Sequence, residues 1–305
     1  MPIKIESYNV HVGIVSDRDE AIKEGLGNLF AGRYLPKFKV EEVDNVKDVD
    51  ALIKWEVTEN FFGVEKYSLG KKDVFEVKSP PPQPYGCESP YFFLLQVLSR
   101  QYMKKGYVMF TDTVSFLDPS SGEAFLILGY PHTGKSTILA LAYSKEMIPL
   151  STENTLLKIN EDYAKIVGGT KILVYDPIIK ELYNIPLTPQ SMTRHGYGII
   201  DLTSLGEPVP KIHSIYVIYC SFTSMGVNKK QVSGRKAMKL LWHFSSSVIR
   251  GLDYYEPIPL NLSDLALEEK LVKDLHHLVD IYRGRFYEVF GSHRKVFEHI
   301  TSLAN

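Results

Sequence analysis

Gly129-Tyr130-Pro131-His132-Thr133-Gly134-Lys135-Ser136 is the stretch on which the reading of this chain turns. It matches G-x-x-x-x-G-K-[ST], the Walker A pattern or P-loop, at every defined position. The spacing has a physical cause. Such a loop must curl until consecutive backbone N–H groups converge on one anion. Gly129 and Gly134 permit the dihedrals that the curl requires. The helix that follows aims its positive end at the same anion. Lys135 is expected to reach the β- and γ-phosphates of a nucleoside triphosphate. The Ser136 hydroxyl is expected to ligate Mg2+, a hard ion that prefers oxygen. The nucleotide-binding set therefore runs from Gly129 to Thr137: Gly129, Tyr130, Pro131, His132, Thr133, Gly134, Lys135, Ser136 and Thr137. His132 has two readings, a side chain near the γ-phosphate or a solvent-facing spacer, and the spacer is the commoner use of such a position.

A chance match to this pattern is expected in roughly one chain in a hundred of this length. The flanks narrow it further. Ala124–Leu128 is a short apolar run of strand type, and Lys135–Lys145 reads as a helix opened by the loop. Working outward, Tyr107–Phe110, Val114–Leu117, Leu156–Ile159, Tyr163–Val167, Ile172–Tyr175, Tyr197–Ile200 and Ser214–Tyr219 read as strands. Pro90–Lys104, Lys236–Arg250, Ser263–Tyr282 and Lys295–Leu303 read as helices. Strands and helices alternate with some hairpins, so the fold class is α/β: a P-loop core on a mixed sheet.

The stretch Ser79–Gly86, SPPPQPYG, cannot lie inside a helix or a central strand. It divides the chain into a small N-terminal α+β domain (1–78), a Pro-rich linker (79–89) and a nucleotide-binding domain (90–305). The N-terminal piece carries no catalytic signature. A substrate lid, a dimerisation surface and a targeting module are its three readings, and self-association of the chain stays open with the second.

Across 305 residues the formal net charge is -1, with 44% hydrophobic and 23% charged residues. That is a globular balance with no global pull toward nucleic acid or an anionic membrane. The start, MPIKIESYNVHVGIV, reads as a strand and not a signal peptide, and no stretch reaches the ~20 apolar residues of a spanning helix. Two distant cysteines, Cys87 and Cys220, do not suggest a disulfide scaffold, so a reducing, cytoplasmic setting is expected. Cys220 closes an apolar run and reads as core before it reads as a nucleophile.

A phosphotransferase of this kind needs a carboxylate for its metal and often one to orient or deprotonate the acceptor. Glu153, Asp176 and Asp201 each follow an apolar strand-like run. Position alone does not rank Asp176 against Asp201. Between Ser221 and Met238, Lys229, Lys230, Arg235 and Lys236 stand among two glycines. That stretch reads either as a mobile cationic loop for a phosphate-bearing substrate or as solvated surface.

From about Gly106 to Leu205, roughly 100 of 305 residues, the chain resembles the catalytic domain of the HPr kinase/phosphorylase family, whose P-loop fold is related to phosphoenolpyruvate carboxykinase. Three segments carry the resemblance. They are the P-loop itself, Leu150-Ser151-Thr152-Glu153-Asn154, and His195-Gly196-Tyr197-Gly198-Ile199-Ile200-Asp201. Where the family has paired aspartates this chain has Glu153 and Asn154. Thr193 stands at the signature's glutamate and His195, beside Arg194, at its arginine. The family's upstream histidine has no counterpart near Val114. The resemblance implies that Glu153 lies beside the γ-phosphate as metal ligand or acceptor base, which raises it above Asp176 and Asp201. It also implies an ATP-dependent, Mg2+-requiring kinase acting on a hydroxyl of a small molecule or a protein serine. A nucleotide-binding regulatory module with little or no transfer is the alternative that Asn154, Thr193 and His195 favour. A carboxykinase-like or phosphate-linked lyase ranks third.

Overall fold

The computed structural model describes residues 1–59, 61–223, 226–251 and 260–302. The chain is a mixed α/β protein that divides into two compact units, 1–106 with 246–268, and 107–245 with 269–305. This division differs from the boundaries expected at 78 and 89. The proline stretch and the helix after it belong to the first unit, and a later segment returns to join them.

In the first unit, β1 (Ile3–Ser7), β2 (Val10–Ser16), β3 (Lys39–Glu42), β4 (Ala51–Val57), β5 (Gly63–Ser68) and β6 (Asp73–Ser79) form one sheet ordered β3-β1-β2-β4-β6-β5. The β2–β4 and β4–β6 pairs are parallel and the others antiparallel. Helices α1 (Asp19–Gly27), α2 (Ala31–Tyr34) and α3 (Ser89–Lys104) complete the unit. The returning segment is held by two buried polar side chains one turn apart on α3. Gln96 donates to the carbonyls of Ile249 and Leu260, and Arg100 donates to the Leu262 carbonyl at 2.7 Å. Arg100 also pairs with Asp73, fully buried on β6, at 2.7 Å, and with Asp264 at 2.8 Å.

The second unit is built on β7 (Val108–Phe110), β8 (Thr113–Asp118), β9 (Glu123–Leu128), α4 (Lys135–Ser144), β10 (Ile148–Ser151), β11 (Thr155–Ile159), β12 (Ala164–Gly169), β13 (Ile172–Tyr175), α5 (Ile178–Tyr183), β14 (Ser191–Met192), β15 (Gly198–Asp201), β16 (Ile212–Ser221), β17 (Val227–Gln231), α6 (Gly234–Ser246), α7 (Leu265–Ile281), β18 (Phe286–Ser292) and α8 (His293–Ser302). Its main sheet runs β10-β8-β9-β16-β18-β17. The three central strands β9, β16 and β18 are parallel and the flanking pairs are antiparallel. Ala124 to Leu128 and Ser214 to Ile218 are buried without alternation, as expected of strands covered on both faces. Ile138, Leu139 and Leu141 of α4 and Val296, Phe297 and Ile300 of α8 share one apolar core with Ile127 and Ile218. Two three-stranded sheets, β12-β11-β7 and β13-β15-β14, complete the unit.

Several expectations are corrected. The helix expected over Lys236–Arg250 ends at Ser246. Ser245 there turns its hydroxyl back to the Leu241 carbonyl at 2.7 Å, a competitor of the helical ladder. The cationic stretch is not one loop: Lys229 and Lys230 lie on β17, and Arg235 and Lys236 on α6. Ser224 and Met225 of that stretch, and Leu303 of the last expected helix, lie outside the described residues. β18 was not anticipated at all. Among the described residues no helix is long and apolar enough to cross a membrane.

The buried Arg100–Asp73 pair generates a test. Asp73→Ala leaves a guanidinium nearly free of solvent with one partner fewer. The expected cost is about 3–5 kcal/mol of unfolding free energy, read as a lower urea midpoint. An unchanged midpoint would show that Asp264 and the Leu262 carbonyl suffice for Arg100.

Candidate functional site

The Walker A residues lie between the last residue of a parallel strand, Leu128 of β9, and the first of a helix, Lys135 of α4. Two residues of the loop have left-handed backbone, His132 (φ 63°) and Gly134 (φ 96°). A side chain at Gly134 would stand 2.7 Å from Cys220 Cβ and 2.7 Å from the imidazole of His293, so the loop backbone touches both neighbouring walls directly. One at Gly129 would stand 2.4 Å from the Thr133 hydroxyl, across the curl itself. The curl is closed by Thr133, whose N–H and hydroxyl both reach the Tyr130 carbonyl, at 3.2 and 2.8 Å. It is tied to the sheet by the Cys220 N–H donating to the Thr133 carbonyl at 2.9 Å. The first bond of α4 runs from Ile138 N–H to the Gly134 carbonyl, so the amides of residues 135–137 precede the helical ladder and point out of its positive end.

Lys135 is 7% exposed. Its ammonium folds back over the loop, donating to the carbonyls of Gly129 and Tyr130 at 2.5 and 3.0 Å and standing 3.3 Å from Asp112 Oδ1. Asp112 was not foreseen. It lies 23 residues before Lys135, in the turn between β7 and β8, with φ 53°. Thr111-Asp112-Thr113 reads as an ordinary turn, and nothing in the sequence ties it to the loop. Ser136 and Thr133 are half-buried, Thr137 is buried, and Pro131 and His132 are exposed.

The three candidate carboxylates separate sharply. Glu153 occupies the turn between β10 and β11, and that turn is stitched to the loop. The Asp112 carbonyl accepts the Gly129 N–H at 3.1 Å, and the next N–H, of Thr113, donates to the Glu153 carbonyl at 2.9 Å. The turn is fixed by Thr170, fully buried, whose hydroxyl accepts the N–H groups of Glu153 and Asn154 at 2.9 and 3.0 Å. Its backbone also exchanges bonds with Thr152 and Asn154 at 3.0 Å each. Beneath the turn lies a row of buried hydroxyls. Thr113 Oγ1 donates to the Phe110 carbonyl at 3.1 Å and contacts Thr155 Oγ1 at 2.7 Å, Thr155 contacts Ser151, and Ser151 contacts Ser115 at 2.6 Å. Each hydroxyl has one proton, so with Thr113 committed to Phe110 the row is ordered one way, Ser115 to Ser151 to Thr155 to Thr113.

Asp176 and Asp201 have local duties instead. Asp176 Oδ1 accepts the Ile178 N–H at 3.0 Å at the start of α5, and Asp201 Oδ1 accepts both the N–H and the hydroxyl of Thr203. They mark opposite ends of the β13–β15 pair, in which Ile172 faces Asp201 and Tyr175 faces Gly198. Four residue steps, about 13 Å, separate those ends, so the two do not share one small site. Thr193 is buried and its hydroxyl accepts the Tyr197 N–H at 3.0 Å, while Arg194 and His195 are exposed and bond each other.

Two further residues wall the loop. Cys220 is half-buried, and burial pushes its thiol up to about 12, which removes it as a nucleophile. His293, at the start of α8, is 3% exposed and shares a 2.9 Å hydrogen bond with the Tyr183 hydroxyl through Nδ1. Burial lowers its pKa from 6.5 to about 4, so its ring is neutral beside the loop.

No group of three or more His, Cys, Asp or Glu residues stands ready to hold a metal ion among the described residues. Mg2+ does not require one. It keeps most of its waters and takes one or two protein oxygens plus those of the phosphates. The Ser136 hydroxyl at the mouth of α4 is an oxygen of that kind, and the Asp112 carboxylate stands beside the same loop, 3.3 Å from Lys135.

No family model matches the chain, and no curated protein does. Among solved structures it is similar to the Hpr(Ser) kinase/phosphatase from Coxiella burnetii, at 14% identity over 41% of this chain and 77% of that one, with a TM-score of 0.25. A likeness of that size establishes no shared activity.

The neutral His293 gives a pH test. A folded-state pKa below the unfolded one means that stability is complete above about pH 6.5 and is lost as the pH falls toward 4. The loss should approach about 3 kcal/mol, 1.36 kcal/mol for each unit of the shift. Urea midpoints of the parent should drop across that window, and those of His293→Gln should drop less. Parallel curves would remove His293 as the cause.

Proposed function

We propose that this chain binds a Mg2+–nucleoside triphosphate, ATP in the first instance, on Gly129–Thr137, and transfers the γ-phosphoryl group to a hydroxyl of a small molecule or a protein. The observation that carries this reading is the placement of Lys135. A buried ammonium is held at the neck of a curled loop by two loop carbonyls and one carboxylate, all within 3.3 Å. Those oxygens stand in for the oxygens of a polyphosphate. When phosphates enter, Lys135 exchanges carbonyls for charged oxygens, and charge-assisted bonds are the stronger kind. The amides of residues 135–137 hold the anion from the helix side. Bound Mg2+ would neutralise part of the charge on the β- and γ-phosphates, with Ser136 as one ligand. In this reading Glu153 would accept the acceptor's proton or share the metal, and the bracing of its turn by Thr170 supports that, since the backbone there need not be ordered during the reaction. Asp112, relieved of Lys135, leaves a carboxylate at the rim of the loop.

A second reading keeps the nucleotide and drops the transfer. It is favoured by the residues at the family's remaining acid and base positions. Asn154 is buried and Thr193 is spent on its own hairpin, so neither offers a carboxylate.

Three variants separate the readings by calorimetry with Mg2+–ATP and by ADP release with pooled hydroxyl acceptors. Lys135→Ala should weaken nucleotide binding by roughly tenfold or more, the worth of a charged hydrogen bond of about 1.5–3 kcal/mol. Unchanged binding would remove the loop from the function. Glu153→Gln should bind ATP and release no ADP. Full release would move the catalytic role to another acid, and a parent with no release leaves the regulatory reading. Asp112→Asn unties the lysine and should tighten nucleotide binding by about two- to fivefold, the scale of a part-exposed ion pair.

A further inference from the structure

The phosphate loop accounts for three phosphates and leaves the rest of a nucleotide without a seat. Beside it runs a ladder of aromatic rings. Tyr130, the second residue of the loop, packs against His243 and Phe244 of α6, with ring centroids 5.1 and 5.2 Å away. Its ring also stands 6.4 Å from that of Tyr219, near the carboxyl end of β16. Tyr219 in turn is stacked on Phe290 of β18, with centroids 4.7 Å apart and planes 8° from parallel. The parallel registers Val217–Leu128 and Tyr219–Phe290 set all three rings at one level, just beyond the end of β9.

The outermost ring is unlike the rest. Phe244 is buried and Tyr130, Tyr219 and His243 are half-buried, whereas Phe290 is 43% exposed. Opposite Phe290 on the edge strand stands Asn228, also exposed, and directly opposed residues of an antiparallel pair share a face. On that face Glu288 is buried in an ion pair with Lys236, and Lys230, opposite Glu288, is exposed. Among the described residues that face offers a flat aromatic surface with the Asn228 amide at its side and the Lys230 ammonium one pair further along, at the carboxyl ends of parallel strands, where ligands of open α/β sheets bind. β18 lies two strand spacings, about 10 Å, from β9. A ribose and two phosphate linkages bridge such a gap in an extended nucleotide.

We propose that the Tyr219–Phe290 stack, with Asn228 at its edge, seats the purine base of the nucleoside triphosphate whose phosphates lie on Gly129–Thr137. The inference rests on the nucleotide reading above and adds a specificity to it. The ring stack supplies face contact to any purine, and the amide of Asn228, donor and acceptor together, meets the polar edge of either adenine or guanine.

Inorganic tripolyphosphate tests it, because that probe has phosphates and no base. Parent, Phe290→Ala, Phe290→Leu and Lys135→Ala are titrated calorimetrically with Mg2+ complexes of ATP, GTP, CTP and tripolyphosphate. The parent should prefer ATP and GTP to tripolyphosphate by roughly tenfold or more, the worth of one stacked base, and should bind CTP less well than either purine. Phe290→Ala should lose that preference while keeping its affinity for tripolyphosphate. Phe290→Leu, which keeps apolar bulk without a ring, should lose most of it. Lys135→Ala should weaken every probe. A Phe290→Ala protein that still prefers ATP, a parent indifferent between ATP and tripolyphosphate, or CTP bound as tightly as ATP overturns the base site and leaves the phosphate loop standing. A parent that binds none of the probes overturns both.

Discussion

Gly134 holds its place because it has no side chain. Its left-handed backbone is pressed between Cys220 at the end of β16 and His293 at the start of α8, with no room for a single methyl group. That contact sets where α4 begins, and so where the free amides of residues 135–137 point. It also brings the ends of three parallel strands to one rim. The loop follows β9, Cys220 closes β16, and His293 follows β18. Neither wall carries a charge. The thiol is held protonated by burial, and the imidazole is held neutral by the same cause. The positive character of the site is thereby left to Lys135 and the helix end.

The other side of the loop depends on hydrogen bonds where this side depends on steric fit. Asp112 and Thr113 form a two-residue bridge, taking the Gly129 N–H on one side and giving an N–H to Glu153 on the other. Thr170 and the row of buried hydroxyls hold the far end. The backbone of residue 153, 24 residues beyond the loop's first glycine, is thus held through its own N–H and carbonyl, with Thr170 supplying the one side-chain contact.

Much of this was legible in the sequence, and the limits have physical causes. The loop, its strand and its helix were readable because the curl demands glycine at fixed spacing. The strand ends carrying Glu153, Asp176 and Asp201 were readable as apolar runs, but their duties were not. Whether a carboxylate caps its own turn or faces a loop depends on pairing between distant strands. β18 was missed because its core-facing alternation is interrupted by Glu288, a charge that can be buried only because Lys236 of α6 meets it. Missing β18 hid Phe290 and His293 with it. Asp112 was hidden by its likeness to any turn aspartate. The division into units was misplaced because a proline run marks stiffness and not separation, and because Gln96 and Arg100 recruit a segment about 150 residues later.

The strand order carries a consequence for how the molecule comes together. β18 lies between β16 and β17, yet both are synthesised before it. The chain leaves the second unit near residue 245 and returns at residue 269, and β18 must follow before the centre of the sheet can close. Until then β17 has no strand to pair with, β16 lacks one neighbour, and Gly134 lacks one of its two walls. The Walker A sequence emerges early, but its shape is finished by residues about 160 positions later. Such long-range closure is slow, and it leaves the strand edges of the sheet open while it lasts. The curl of residues 129–134 therefore meets its second wall only once β18 and α8 are in place.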